Sequence, residues 1–577
     1  LQPSFKEDKE YKEDSTMAIN KRIPIGIENF KEMIDKDYYY VDKTNFINDV
    51  LDEKVVLYTR PRRFGKTLNM SMLYYFFSNK EKSNAYLFDG LKISDDKEAL
   101  KHQNQYPVIF ISLKEMKSFK FEEQKEQFAF LISQIMTDYS EVMESETLDQ
   151  TDKAQLKRYR CGNYTDLMLK NSLLFISQCL YKHFHQKVII LIDEYDVPLQ
   201  DAYLHDYYEE MVDFLRSVFS AALKTNNALE KGILTGCLRI AKESIFTGLN
   251  NFNVYSIFEN VASQAFGFTP QETQKLFEDY DFRTAIETAK EWYDGYLFGN
   301  SEIYNPWSIL KYVLKHLQGN NRPESFWANT SGNDIVKKYI EHATSAMKEE
   351  FEQLMNGQTI VKRIKPELTY REMDFDDDDR INDDVYSFLL FTGYLKTTGQ
   401  CDDEHGQLLL NTYQLAIPNR EIKEIYRITF MDWFARFQKT KNEPFIKALI
   451  DCKTDQAIDL LTDVLLNSIS YYDNYESFYH GFMLGFLQNL GYQVISNQES
   501  GDGRFDIALV PSRLTGTVLI LECKHSQNIE KLIQDSETAA KQIETKKYKE
   551  KFVQAKYRQI IGYGISFYKK QCYITKL

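Results

Sequence analysis

Two groups of residues in this 577-residue chain have the types and spacing to handle phosphate. The first centres on Gly65, Lys66 and Thr67 in YTRPRRFGKT (58–67). A glycine at a helix start lets backbone N–H groups point at phosphate oxygens. Lys66 would reach the β- and γ-phosphates, and the Thr67 hydroxyl would hold Mg²⁺. The general pattern is G-x-x-x-x-G-K-[ST]; here Arg60 stands at the first glycine, and Pro61 stiffens the turn. Arg60, Arg62 and Arg63 add positive charge, and the sequence leaves open whether they bind phosphate or pair with acids of the chain. In VIILIDE (188–194) an apolar run ends in two carboxylates. Asp193 would sit near Mg²⁺ and Glu194 would polarise an attacking water; the plainer alternative is a buried strand with a polar end. GILTGCLR (232–239) fits a sensor strand beside it. Thr235 would touch the γ-phosphate or the water. Arg239 either reads the γ-phosphate charge or forms a structural salt bridge. No N-K-x-D motif for guanine occurs, which favours ATP over GTP.

The second group lies in GDGRFDIALV (501–510) and TVLILECK (517–524), two strand-like runs around a turn at 511–516. A hairpin centred near residue 514 sets Asp506 opposite Glu522. Alternation puts Glu522 and Lys524 on one face and Cys523 on the other. Facing carboxylates repel, and a divalent cation, Mg²⁺ or Mn²⁺, would relieve them. Lys524 would orient or help deprotonate the attacking water. Upstream, 474–490 reads as an amphipathic helix ended by Gly491. Glu476 shares a face with His480, Met483 and Leu487, so it is either a third carboxylate at the metal or a surface or capping glutamate; His480 reads as a packed core histidine. Downstream, Gln542 and Tyr548 fall on a helix with Lys541, Lys546 and Lys547. That helix either faces a nucleic-acid backbone or is a solvated surface.

These residues need elements to hold them. Short apolar runs at 54–58, 108–113, 188–192 and 232–236 alternate with helical stretches, which predicts a parallel sheet with helices on its faces. Residues 270–350 turn helical and polar. The acidic run at 373–380 reads as a solvated loop or helix start rather than a metal site. Residues 381–437, with apolar segments at 386–395 and 408–417, suggest a small winged-helix-like subdomain. From about 470 the order reads helix, strand, strand, helix, strand, strand. The expected division is a flexible tail (1–22), a P-loop domain (23–265), a helical lid and winged-helix-like region (266–435), a helical connection (436–464) and an α/β end domain (465–577).

The bulk numbers fit several globular domains: 43% hydrophobic, 27% charged, with Tyr and Phe at 39 each, which argues against long disorder. The net charge of −14 weighs against nucleic acid as a partner for the whole surface but leaves room for a local basic groove. The seven cysteines are scattered without a C-x-x-C pair, as reduced thiols in a cytoplasmic protein would be. No run approaches a membrane span. The opening segment is charged and lacks an apolar signal core, and Met17 is a candidate start.

The motifs also carry a family resemblance. YYYVDKT (38–44), RPRRFGKTLNMSML (60–73), LIDEYDVPL (191–199), TGCLRIAKESIFTGLNN (235–251), EWYDGYLFG (291–299) and YNPWSIL (304–310) resemble the AAA-ATPase-like family of bacterial proteins. SFYHGFMLGFLQNLGY (477–492) and GRFDIALV with LILECK (503–524) resemble the PD-(D/E)xK nuclease domain fused to it. The resemblance implies an ASCE-type P-loop ATPase and a restriction-endonuclease-like end domain, with a signalling or defence role. It implies Lys66, Thr67, Asp193 and Glu194 as nucleotide residues, and Asp506, Glu522 and Lys524, with Glu476 and Gln542, as nuclease residues. Arg60 fits the family's RPRRFGKT and puts the rate of hydrolysis in question more than binding. Two functions fit: an ATPase that licenses phosphodiester cleavage of DNA or RNA, or an ATP-switched scaffold whose end domain binds nucleic acid or protein without cutting. Arg216 is a weak candidate for an arginine finger, and a homo-oligomer is left open.

Overall fold

The structure, a computed structural model, describes residues 21–224, 226–239, 245–246, 252–327, 345–368, 381–403, 406–437, 442–468, 476–487, 491–500 and 503–577. The chain divides into two compact units, Leu1–Trp327 with Val361–Glu421 and Ala328–Ile360 with Ile422–Leu577. Among the described residues no helix is long and apolar enough to cross a membrane.

The first unit is built on a five-stranded sheet of β1 (Val55–Thr59), β2 (Val108–Ser112), β3 (Val188–Asp193), β4 (Leu229–Gly236) and β5 (Asn253–Tyr255). The order is β2-β3-β4-β1-β5, and every pairing is parallel. All of β3 is buried, so its sequence runs apolar rather than alternating. Ile189, Ile190, Leu191 and Ile192 are wholly buried, each contributing about 1.5–3 kcal/mol. The registers Thr59↔Gly236 and Ser112↔Asp193 bring the C-terminal ends of four strands to one edge. β4 lies between β1 and β3, so the sensor strand separates the loop-bearing strand from the acidic one, as an ASCE-type domain requires. The predicted strands are present; β5 is an addition, three residues that are exposed or half-buried and too short to register as a run. Helix α1 (Lys66–Phe77) leaves the loop after β1.

Beyond the sheet come the hairpin β6 (Tyr296–Phe298) and β7 (Ser301–Ile303), then α2 (Pro306–Leu317), which starts on an Asn305 cap. Leu276, Phe277, Tyr293 and Tyr312 form a core of their own there. Further on, β8 (Ile360–Arg363), β9 (Lys396–Asp402) and β10 (Leu408–Ala416) form a sheet in the order β8-β10-β9, with helix α3 (Ile381–Phe391) before the hairpin. The hairpin β6–β7 falls within the stretch 270–350 expected to be helical. The acidic run at 373–380 lies outside the described residues.

In the second unit α4 (Asn442–Ile450), α5 (Thr454–Ser468) and α6 (Glu476–Phe486) precede a sheet of β11 (Tyr492–Ser500), β12 (Gly503–Pro511), β13 (Thr517–His525), β14 (Gln559–Tyr568) and β15 (Gln571–Lys576). Neighbours follow chain order, and only β13 and β14 run parallel, joined through helix α7 (Leu532–Thr545). Leu519, Leu521 and Cys523 face the core that contains Phe445, Leu461 and Met483. Val518 and Ile520 face the other way, with Ala508 and Val510, against Ile543 of α7. The expected count of strands before α7 is corrected from two to three: β11, YQVISNQES, is polar enough to read as loop, yet it pairs with β12 along its length.

Candidate functional sites

Gly65 has φ +86°, a left-handed conformation that glycine adopts without a Cβ penalty, and it caps α1. Lys66 is 4% exposed; its Nζ donates to the carbonyls of Arg60 (3.1 Å) and Pro61 (3.0 Å) and approaches Cys237 Sγ at 3.5 Å. Burial opposes its charge, but Cys237, Glu194, Asp196 and Asp193 outweigh it and hold the Lys66 pKa above the ordinary value. The loop therefore holds a protonated ammonium at the head of a helix.

Asp193 is wholly buried. Thr67 Oγ1 donates to its Oδ2 at 2.8 Å and Thr235 Oγ1 to its Oδ1 at 2.7 Å, with Ser112 Oγ at 3.4 Å. Burial, then the neighbouring Glu194, raise the Asp193 pKa against these hydroxyls and Lys66. A buried acid beside a threonine hydroxyl is a donor set that suits Mg²⁺, and Thr67 and Asp193 are the residues that could hold it. Thr235, expected at the γ-phosphate or the water, spends its hydroxyl on Asp193. Glu194, half-buried, has φ +52°, an uncommon backbone state for a side-chain-bearing residue and one that collects at functional sites. Asp196 escaped the sequence reading although it stands in LIDEYDVPL. Its buried Oδ2 accepts the N–H groups of Cys237 (2.8 Å) and Leu238 (3.0 Å), tying the acidic turn to the end of β4. Burial raises its pKa as well.

The three loop arginines have three fates. Arg60 is wholly buried and turned inward. Its guanidinium donates to the carbonyls of Thr59 (2.8 Å), Tyr255 (2.9 Å), Ser256 (2.6 Å), Val261 (3.2 Å) and Ala262 (3.3 Å). It lies over the rings of Phe266 and Phe298, and burial brings its pKa down to about 10. Neither sequence alternative holds for it: it binds neither phosphate nor an acid but carbonyls of a distant segment. Arg62 donates to Gln200 Oε1 on helix Val197–Leu204. Arg63 stacks 4.4 Å from the Trp307 ring centre. Arg239 forms the salt bridge, 2.6 Å to Glu367 Oε1. Arg216 lies 3.9 Å from Asp213.

In the second unit the pairing of β12 with β13 runs to Ile507↔Leu521, and Asp506 and Glu522 are the next residues on the two strands. Their carboxylates cross: Asp506 N donates to Glu522 Oε2 at 3.3 Å, and Cys523 N to Asp506 Oδ2 at 2.8 Å. Gln542 Nε2 donates to Glu522 Oε1 and lies 3.5 Å from the hydroxyl of buried Tyr548. Gly564 allows this approach. It pairs with Glu522 in the sheet, and a Cβ there would meet the α7 backbone at 2.1 Å from Ser536 O. Burial raises the Asp506 pKa, against the Cys523 N–H and His480. Crossed carboxylates of this kind, one buried and one half-buried, suit a divalent ion that keeps several waters. Lys524 is half-buried, and among the described residues it has no ion pair. His480 is half-buried too; its Nε2 lies 3.1 Å from Asp506 O and 3.2 Å from Ser496 Oγ. Glu476 is the first residue of α6, one turn before His480; its side chain lies outside the described residues. Lys541, Lys546 and Lys547 are on or just after α7.

The structure thus gathers Lys66, Thr67, Asp193, Glu194 and Thr235 at one sheet in the first unit and Asp506, Glu522 and Gln542 at another in the second, and it pairs Arg239 with Glu367. Comparison with known proteins agrees with both folds. Residues 474–577 match the PD-(D/E)XK nuclease superfamily, and residues 24–246 match the family described as predicted AAA-ATPase. An "uncharacterized protein in vnfD 5′ region" of Azotobacter chroococcum mcd 1 is 26% identical over 297 residues, 50% of this chain and 51% of that protein. The match therefore spans about half the length of that relative. Two separate stretches of the chain are thus similar to known families, residues 24–246 to the predicted AAA-ATPase family and residues 474–577 to the PD-(D/E)XK nuclease superfamily.

Proposed function

We propose that the first unit binds and hydrolyses ATP with Mg²⁺ and that the second cleaves phosphodiester bonds of DNA or RNA with Mg²⁺ or Mn²⁺. The observation that supports it most is the pair of acid-and-lysine clusters, each on a strand end: Lys66 beside Asp193 and Glu194, and Asp506 beside Glu522 on the strand that carries Lys524. Lys66 would neutralise the β- and γ-phosphates, and Thr67 and Asp193 would hold the ion. Glu194 would take the proton of the attacking water. In the second unit Asp506 and Glu522 would hold the ion, Gln542 would keep Glu522 in place, and Lys524 would orient the water and offset phosphate charge. The bound cations supply charge neutralisation and a more acidic water. Such a pair of activities suits nucleic-acid processing or defence against foreign nucleic acid.

The scaffold alternative is the reading that remains if the second unit binds nucleic acid or protein without cutting. The full chain should bind ATP and cut DNA or RNA with Mg²⁺ or Mn²⁺. Lys66→Ala should abolish ATP binding, and Asp506→Ala or Lys524→Ala should abolish cutting with folding intact. Wild-type protein that cuts no nucleic acid under any of these conditions sinks the nuclease half and leaves the scaffold.

A further inference from the structure

Two residues of the phosphate loop, Pro61 and Arg63, lead by separate contacts to one buried carboxylate. An ammonium has three N–H donors, and those of Lys66 face the carbonyls of Arg60 (3.1 Å) and Pro61 (3.0 Å) and Cys237 Sγ (3.5 Å). A phosphate that draws on Lys66 displaces at least one of these contacts. Arg60 is fixed through its own N–H, on Gly236 O, and through its guanidinium, so the adjustment falls on Pro61. A Cβ on Gly393 would meet Pro61 Cβ at 3.0 Å and Trp327 Cη2 at 3.1 Å, so proline ring and indole close on one glycine. Trp327 N donates to Glu421 Oε1 at 2.9 Å. Arg63 reaches the same acid by another way. Its guanidinium lies on the Trp307 ring, and Trp307 Nε1 donates to Phe326 O at 3.3 Å. Phe326 N and Ser308 Oγ, each next in sequence to one of these tryptophans, donate to Glu421 at 2.7 and 2.8 Å.

Trp327 and Glu421 are also the residues at which the chain leaves the first unit, once after each of them. Glu421 is the second residue of the helix Arg420–Phe437, whose residues from Ile422 onward belong to the second unit. We propose that the contact of Trp327 with Glu421 is a regulatory clasp: it carries the nucleotide state of the phosphate loop to both chain crossings and so sets the cutting rate of the second unit. This rests on the ATPase and nuclease readings above. A ligand shifts an equilibrium only by its different affinity for two arrangements. Lys66 supplies that difference, since it donates either to the Pro61 carbonyl or to a phosphate. Gly393, at φ +90°, leaves no slack between proline and indole, and a packed interior passes a small shift on rather than absorbing it. The shift ends on a wholly buried carboxylate with three donors, where a donor drawn away leaves a buried polar group unsatisfied. Glu421 therefore moves with its donors, and it moves as part of a helix.

The test uses full-length wild type, Trp327→Leu, Trp307→Leu and Lys66→Ala, each without nucleotide and with a non-hydrolysable MgATP analogue. It reads analogue affinity, amide exchange over 326–327 and 422–426, and the rate of cutting DNA or RNA with Mg²⁺ or Mn²⁺. In wild type the analogue should change exchange in both segments, and the cutting rate, by at least about fivefold. Trp327→Leu should bind the analogue within about threefold of wild type yet respond less than about twofold. Trp307→Leu, which breaks only the Arg63 route, should keep part of the response and serves if Trp327→Leu fails to fold. Lys66→Ala should show none. Exchange or cutting in wild type that ignores bound analogue overturns the proposal, as does a full response in Trp327→Leu. Exchange that follows the analogue, with no cutting under any condition, supports the clasp while the nuclease reading fails. If wild type binds no analogue, the ATPase reading has failed, and the clasp falls with it.

Discussion

The two candidate sites hold their charged side chains in place by different means. In the first unit the charges are interred. Lys66 and Asp196 are each 4% exposed and Asp193 is not exposed at all. Their partners come from segments far apart in sequence: Thr67 to Asp193 spans 126 positions and Lys66 to Cys237 spans 171. In the second unit one hairpin and one helix suffice, and the crossed bonds between Asp506, Glu522 and Cys523 span 16 and 17 positions. Asp506 and Lys524 there are only half-buried. The difference teaches that the first site is a product of the whole fold, so its substitutions mix stability with chemistry. The second is attached to a fold that its neighbours hold together, so its substitutions should separate the two.

Arg60 gives the strongest way to break that contrast. Arg60→Gly restores the general phosphate-loop pattern, so a motif-based view predicts an improved loop. The structure predicts the reverse. The guanidinium donates to five carbonyls in the interior, and its loss takes that donor from each of them. The expected cost is about 3–5 kcal/mol of stability in the first unit. Chemical unfolding followed by hydrogen exchange in β1 and β5 measures it. Equal protection in variant and wild type would mean that the loop is not anchored through Arg60.

Arg60 also marks where sequence reading stops. Lys66, Thr67 and Asp193 were legible because loop, helix start and acidic strand end are each contiguous and chemically distinctive. The Asp506–Glu522 pairing was legible because strand side chains repeat every two residues and the turn fixes the register. Arg60 was not, because four of its five carbonyl partners are 195–202 positions away and backbone carbonyls leave no trace in side-chain sequence. Arg239 was undecidable for the same reason, since Glu367 lies in a different part of the chain. β11 was missed because its polar composition hides a strand that pairs with β12. Gly564 carries no signal of its own, yet α7 and Gln542 depend on it.

The second effect in size concerns a buried acid of the first unit. Glu421, wholly buried, accepts from Ser308 Oγ (2.8 Å), Phe326 N (2.7 Å) and Trp327 N (2.9 Å). Burial pushes its pKa up to about 7, against these three donors. The folded state therefore keeps a proton that the unfolded chain releases near 4.5. Stability from this group is full below the unfolded pKa and is lost as pH rises through about 7, a loss of about 3 kcal/mol at most. Glu421→Gln removes the proton and keeps the shape, so its unfolding midpoint between pH 5 and 8 should lie on a flatter line than that of wild type. Parallel lines would show that Glu421 is ionised in the fold. Asp506 in the second unit is raised by burial too, so its contribution has the same sign.

Gln542 gives the smallest effect and the sharpest separation of chemistry from folding. Glu522 is 4% exposed; one oxygen accepts from Asp506 N and the other from Gln542. A carboxylate that holds a metal works best when a neighbour fixes its orientation, and losing such a neighbour commonly costs 10–100-fold in affinity or activity. Gln542→Leu keeps the apolar part of the side chain on α7, while Ile543 and the close contact at Gly564 still seat the helix. Cleavage should therefore fall about 10–100-fold, with a higher metal requirement, and ATP binding by the first unit should not change. A metal titration of cutting, run beside an ATP-binding assay on the same protein, reads both. If cutting at saturating metal and the metal requirement both match wild type, Gln542 does not position Glu522. If ATP binding falls as well, the second site is no separable attachment, because its geometry then bears on the interior of the first.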